Sequence, residues 1–398
     1  MKGSAGGAPA GETAVRAVFL LNVCFAVGMN AMVPLFPIYR SELGLSDGDL
    51  TLVFAAYSFT IAPTLLLVGG ISDAVGRKRV LGTAVAVCLT GAVCFATASS
   101  FPVLVIGRAL QGLAGGLFWG TVSAYARELV PDGRKESAAF LVGASYTAAL
   151  AIGAIASGVV ASTTGSTSIT WLADVVLLLI GAATLWPLPE TVPRRAPASI
   201  RAPRLPEGHE RAFLLALTPL TLVLTSLGSV STALGPSILE ELGADAGALS
   251  GVALATMLTL ATLAQVPARH WPSERAAVAG CSSLLAGTVV NIASLSLGWL
   301  APFWVGTALI GVGTGLALLG TLGVAQRMST ASNRAAVLAV FNFVLYIGLS
   351  FPTIGTGYLA DEVGLRDAYV VLALVGAAVL AAVLGPGRHR LRPGLAEP

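Results

Sequence analysis

Long apolar runs alternate along this chain with short polar turns. About 20 mostly apolar residues suffice to cross a bilayer as a helix. Twelve runs of that kind can be drawn, over 16–38, 50–70, 79–98, 102–126, 137–161, 168–187, 212–234, 247–266, 276–297, 301–325, 335–358 and 368–386. The pattern predicts an all-α membrane protein with twelve transmembrane helices. The first run is too long for a signal peptide and leads into no soluble domain, so it reads as the first span. Residues 1–13 are rich in Gly and Ala and are expected to be a disordered tail. Residues 188–210 carry five prolines together with Arg194, Arg195, Arg201 and Arg204. That composition reads as a linker between two six-helix domains. The expected division is an N-terminal half over 1–190, a cytoplasmic linker over 191–210 and a C-terminal half over 211–398, ending in a short basic tail at 388–398.

The two halves repeat at a constant offset of 199 residues. Leu35-Phe36-Pro37 matches Leu234-Gly235-Pro236, and Glu42-Leu43-Gly44 matches Glu241-Leu242-Gly243. Gly107, Ala109, Leu110, Gly112 and Gly116 match Gly306, Ala308, Leu309, Gly311 and Gly315. Gly158 and Gly165 match Gly357 and Gly364. A parallel six-helix repeat places a site between the halves, where rocking opens it to alternate sides.

Composition narrows the class. Only 11% of residues are charged, 55% are hydrophobic and the mean hydropathy is +0.83. A soluble domain carries about 25% charged residues, so this chain has too few to coat a water-facing surface. The net charge of +3 reflects loop bias and no nucleic-acid partner is expected. Of the 23 Lys and Arg, only Arg40 and Arg366 fall in turns on the far side, and Arg108 lies within a run. The remainder fall on one side, which places both termini in the cytoplasm of a cell membrane. Cys24, Cys88, Cys94 and Cys281 lie in apolar runs without metal-ligand spacing and read as packing residues. No GxxxxGK[ST] loop and no cluster of His, Cys or carboxylates within a run appears, so neither an enzyme nor a cofactor is expected.

The turn from Gly69 to Leu81, GGISDAVGRKRVL, concentrates charge between two spans. Asp73 and Arg77 are four apart and can pair. The residues Gly69, Ile71, Ser72, Asp73, Gly76, Arg77 and Lys78 resemble the signature loop between the second and third helices of the major facilitator superfamily. The family commonly has a basic residue where this chain has Ala74. The resemblance covers nearly the whole chain and implies a twelve-helix transporter of two six-helix pseudo-repeats. It further implies that Asp73, Arg77 and Glu128, from the turn 127–136, form a charge cluster that locks the outward-closed state. Pro189-Glu190-Thr191 also resembles a recurrent element of the family.

Arg108, in RALQGLAGG, is the sharpest single candidate. Gly112 and Gly116 follow it at four-residue steps and offer a face on which a neighbouring helix packs closely. An intramembrane Arg usually faces a cavity or a partner; snorkelling to the interface is the alternative. The stretch, with Gln111, resembles the fourth-helix motif of proton-coupled members, which implies proton coupling through Arg108. The fifth run reads AIGAIASGVVA and resembles the family's antiporter motif, with Ala154 and Ser157 in place of a proline and a glycine. No Asp or Glu falls in runs 1, 2, 4, 5, 7, 8, 10 or 11. Asp174, in run 6, is expected to be interfacial and hydrated, with a proton site as the other reading. Asn22, Asn30, Tyr57, Gln111, Trp119, Tyr146, Asn342 and Tyr346, with Thr225 and Ser229, are candidates to line a mostly neutral cavity.

These readings predict export of a drug-like or other hydrophobic small molecule by proton antiport with alternating access. The alternative is an uptake carrier or uniporter for a neutral metabolite. The expected partners are a small-molecule substrate, protons and the lipid bilayer, and the expected state is a monomer.

Overall fold

A computed structural model describes residues 8–192, 205–330 and 333–385. The start of the expected N-terminal tail, linker residues 193–204 and the basic tail at 388–398 lie outside them. The spans are α1 (Thr13–Leu43), α2 (Asp47–Val75), α3 (Arg77–Ala96), α4 (Phe101–Glu128), α5 (Lys135–Thr164) and α6 (Thr167–Leu185). They continue as α7 (Glu210–Ala233), α8 (Ala246–Ala268), α9 (Ser273–Leu297), α10 (Leu300–Arg327), α11 (Arg334–Val363) and α12 (Leu365–Leu384). Among the described residues, eleven helices are long and apolar enough to cross a membrane. The twelfth is α2, with 29 residues and no charge over 50–72. The chain is a multi-pass membrane protein.

The 199-residue offset reappears in the helices. Helices α4 and α10 start at 101 and 300 and end at 128 and 327. Helices α5 and α11 start at 135 and 334 and end at 164 and 363. Paired turn glycines explain part of the sequence match. Gly44 and Gly243 have φ of 65° and 67°, and Gly165 and Gly364 have 62° and 88°. Residues with a Cβ avoid that region, so each glycine stands at or just past the end of a helix.

Packing gives two main apolar cores. Phe25, Phe36, Phe95, Phe118 and Trp171 anchor one among α1–α6. Leu220, Leu284, Phe303, Ile310 and Tyr369 anchor the other among α7–α12. Large apolar side chains such as Phe140, Leu172, Val176 and Leu374 point outward and are exposed. Such a surface suits lipid and not water.

The first span runs past the expected end at 38, because it is not one continuous α-helix. It tightens into 3-10 turns at Gly28–Asn30 and Val33–Leu35, then continues as Phe36–Leu43. Pro34 has no N–H to offer the Asn30 carbonyl, so the α-helical ladder fails there. Carbonyl groups in the break become free to accept bonds from other helices.

Candidate functional site

Arg108 and Gln111 bond carbonyls of this break. Arg108 Nη1 donates to Met29 O and to Gln111 Oε1, each at 2.9 Å, and Gln111 Nε2 donates to Gly28 O at 3.3 Å. The guanidinium lies over the rings of Tyr57, at 4.8 Å, and Phe54, at 5.7 Å, where a cation meets the negative face of each ring. Arg108 is 3% exposed, so it does not snorkel, and among the described residues no carboxylate pairs with it. Gly112 and Gly116 let α4 lie directly on α2. A Cβ at 112 would collide with Thr60 Oγ1 and Tyr57 O, and one at 116 with Thr64.

Arg108 opens on a cavity of about 170 Å³ lined by Met29, Asn30, Phe54, Tyr57, Ser58, Tyr146 and Leu349. The wall thus includes Asn30, Tyr57 and Tyr146 of the residues singled out above. Trp119 meets Tyr146 edge to face, and Tyr346 stands near Tyr57 and Tyr146 from α11. Gln111 is fully buried behind Arg108 and positions it without lining the cavity. Asn22 is a correction. It is fully buried and its amide donates to Val142 O and Ser145 Oγ, tying α1 to α5. Asn342 is exposed and absent from the cavity wall. Ser229 bonds Thr353 at 2.6 Å, and Thr225 bonds the Thr221 carbonyl in its own helix. Asp174 is a second correction: it is 3% exposed, on the face of α6 that meets α1. Sequence hydropathy could not reveal this, since it does not say which face of a helix turns inward.

The first six helices touch the last six at the face away from the basic turn 77–79. Asp361 on α11 accepts hydrogen bonds from the first amides of α2, Asp47 N at 2.9 Å and Gly48 N at 3.0 Å. Ser162 on α5 donates to Asp245, the N-cap of α8, at 2.9 Å. Positions 162 and 361 are one repeat apart, so the same place in each repeat grips the start of a helix in the other. Gly158 packs on Gly247 and Gly251 on Ala154, which puts the second glycine of the AIGAIASGVVA stretch on the seam. Arg40 adds a bridge to Asp47, Ser237 and Glu240. Burial raises the Glu240 carboxyl above its ordinary range; Arg40 opposes that shift and Asp47 adds to it. Phe59 and Phe351 meet edge to face at 5.5 Å, deeper in the seam.

At the basic face, the predicted charge cluster assembles within the first six helices. Arg77 pairs with Asp73 at 2.6 Å and Glu128 at 3.1 Å, and also reaches Ser72. Gly69 lies inside α2, and Gly76, at φ 110°, makes the corner between α2 and α3. Lys78 Nζ donates to Trp186 O at 2.6 Å and Leu188 O at 2.9 Å. Glu190 from the Pro-Glu-Thr element accepts from Arg77 N at 2.8 Å and so caps α3. Thr191 donates to Glu128, and Tyr125 donates to Pro189 O at 2.6 Å. These bonds strap the segment after α6 onto the charged corner. The second repeat holds a related pair with the charges exchanged. Arg327, at the place of Glu128, bonds Glu274 at 2.6 Å. A search of the sequence for the Asp signature alone misses it.

The family model described as Major Facilitator Superfamily matches residues 18–352. Multidrug resistance protein MdtL of Klebsiella pneumoniae is 24% identical over 365 residues, 90% of this chain and 93% of that protein. Inner membrane transport protein YajR of Escherichia coli is 26% identical over 180 residues, 44% of this chain and 39% of that protein. The nucleoside transporter NupG superposes with a TM-score of 0.78 at 9% identity, over 93% of this chain and 99% of that one. A bacterial homologue of the human lysosomal transporter Spinster superposes with a TM-score of 0.74 at 13% identity, over 98% of this chain and 100% of that one.

Proposed function

Because the chain belongs to the Major Facilitator Superfamily and is a transporter, we propose that it exports a drug-like or other hydrophobic small molecule by proton antiport. The observation that carries this reading is Arg108, a buried cation set in a cavity of otherwise neutral, largely aromatic groups. Tyr57, Tyr146 and Phe54 offer apolar walls with few polar contacts, which suits an amphipathic solute. A sugar phosphate or dicarboxylate would call for several cations there. The cavity of about 170 Å³ is below the roughly 300–1,000 Å³ of a drug-sized site. The similarity to MdtL, named a multidrug resistance protein, supports export.

The two halves, 1–190 and 211–398 joined through 191–210, rock about the seam. Positive residues place the 77–79 face and both termini in the cytoplasm. The seam described above then closes the outer side. The Asp73–Arg77–Glu128 cluster braces α2 against α3 and α4, so that the first half turns as one body.

The test uses inside-out vesicles holding the purified chain and an acid-inside gradient. Lumenal pH is followed as ethidium, then neutral lipophilic dyes, are added. Antiport predicts that a transported compound collapses the gradient and that Arg108→Ala abolishes the collapse. Compound movement that leaves the gradient untouched would refute antiport. It would favour a uniporter, the second reading, which the lack of a carboxylate beside Arg108 supports.

A further inference from the structure

Asp174 is the buried carboxylate that the transport scheme above leaves without a role. It lies about 10 Å inside the start of α6 at 1.5 Å per residue. Neither of its oxygens has a hydrogen-bond partner. Both rest against Gly28, where a methyl group would overlap them. Gly28 is the first residue of the 3-10 break in α1. From the other side, Gln111 and Arg108 hold the Gly28 and Met29 carbonyls of that break.

The surroundings supply no compensating charge. Helix α1 presents the Cys24 thiol to Asp174 and α3 presents the Cys88 thiol. Helix α5 carries its charged residues, Lys135 and Glu136, at its far end, and its Tyr146 turns to Trp119. Arg108 on α4 is occupied by carbonyl and amide oxygens, while its Nε has no partner. An ionised carboxylate enclosed without a cation or a protein donor is strongly disfavoured. The neutral, protonated form fits the same space without that penalty. An unpartnered ionisable group inside a membrane bundle points to function. Here a carboxyl and a guanidinium lie on either side of one three-residue break.

We propose that Asp174 is the residue that carries the transported proton, bound as a neutral carboxyl in the outer-closed state. The carboxyl loses its proton when movement of the Gly28–Asn30 break brings water or the Arg108 guanidinium to it. The break then links the proton to the substrate cavity, because Met29 and Asn30 line that cavity. This inference rests on the antiport reading.

Infrared spectroscopy of the full chain in lipid tests it without any substrate. Near neutral pH the wild type is expected to show a protonated-carboxyl band that shifts in D2O. The band should vanish in Asp174→Asn and return, displaced, in Asp174→Glu. A wild-type spectrum without that band, or one that Asp174→Asn leaves unchanged, overturns the inference and leaves antiport standing. In the energised vesicles, Asp174→Asn is expected to lose gradient-driven movement of the compound that collapses the wild-type gradient. Movement of that compound down its own gradient should persist. Full coupling in Asp174→Asn overturns the assignment alone. A wild type that moves the compound without protons overturns antiport and the assignment together.

Discussion

Replacing Asp361 by alanine removes two bonds that join α11 to α2 only while the seam is closed. The carboxylate accepts from Asp47 N and Gly48 N at 2.9 and 3.0 Å, at the positive end of α2. A hydrogen bond to a charged group contributes about 1.5–3 kcal/mol when shielded from water. Asp361 is exposed, so screening reduces each bond to about 0.5–1 kcal/mol. The pair then favours the closed state by about 1–2 kcal/mol, which is about 5- to 30-fold in the equilibrium. None of this contributes once the halves part, so the whole difference appears in the population ratio. The assay is a distance distribution between spin labels at Ser41 and Glu362, both exposed on that face, with the partly exposed Cys94 replaced. Asp361→Ala should transfer population to longer distances, and Asp361→Asn, which keeps an acceptor, should transfer less. Identical distributions for wild type and Asp361→Ala would refute the claim that these bonds hold the seam.

Gly112→Ala should lower the midpoint of thermal unfolding in detergent. The added methyl meets the Tyr57 backbone carbonyl, which cannot move aside as a side chain would; overpacking of this kind costs about 1–3 kcal/mol. An unchanged midpoint would mean that α4 and α2 are less tightly joined than described. Asn22→Ala should also reduce stability, by about 1–2 kcal/mol for the lost tie between α1 and α5. Its substrate profile, per folded molecule, should match the wild type. A changed profile would return Asn22 to the cavity wall.

The helices and their repeat are legible in the sequence because lipid imposes them. Each span must satisfy its own backbone and stay apolar for about 20 residues, so hydropathy reads them directly. The corner at Gly76 is legible for a related reason: its φ of 110° excludes side chains, and the charges around it have local partners. The same holds for Arg108, whose cost in a bilayer marks it wherever it stands. Other features depend on which helix faces meet, and no local pattern records that. By hydropathy Asp174 reads as an end-of-span residue, whereas in the fold α1 closes over it at Gly28. Asn22 reads as a cavity group from its spacing, whereas in the fold it bonds Ser145 and the Val142 carbonyl of α5. The grip of Ser162 and Asp361 on the opposite repeats was latent in the 199-residue offset. The sequence determined the spans, the duplication and the charged corner, because solvent and local geometry dictate them. Tertiary structure alone decided which polar groups lie dry, which tie helices together and which side of the bundle is closed, because those follow from rotation and docking of helices that are each apolar nearly all round.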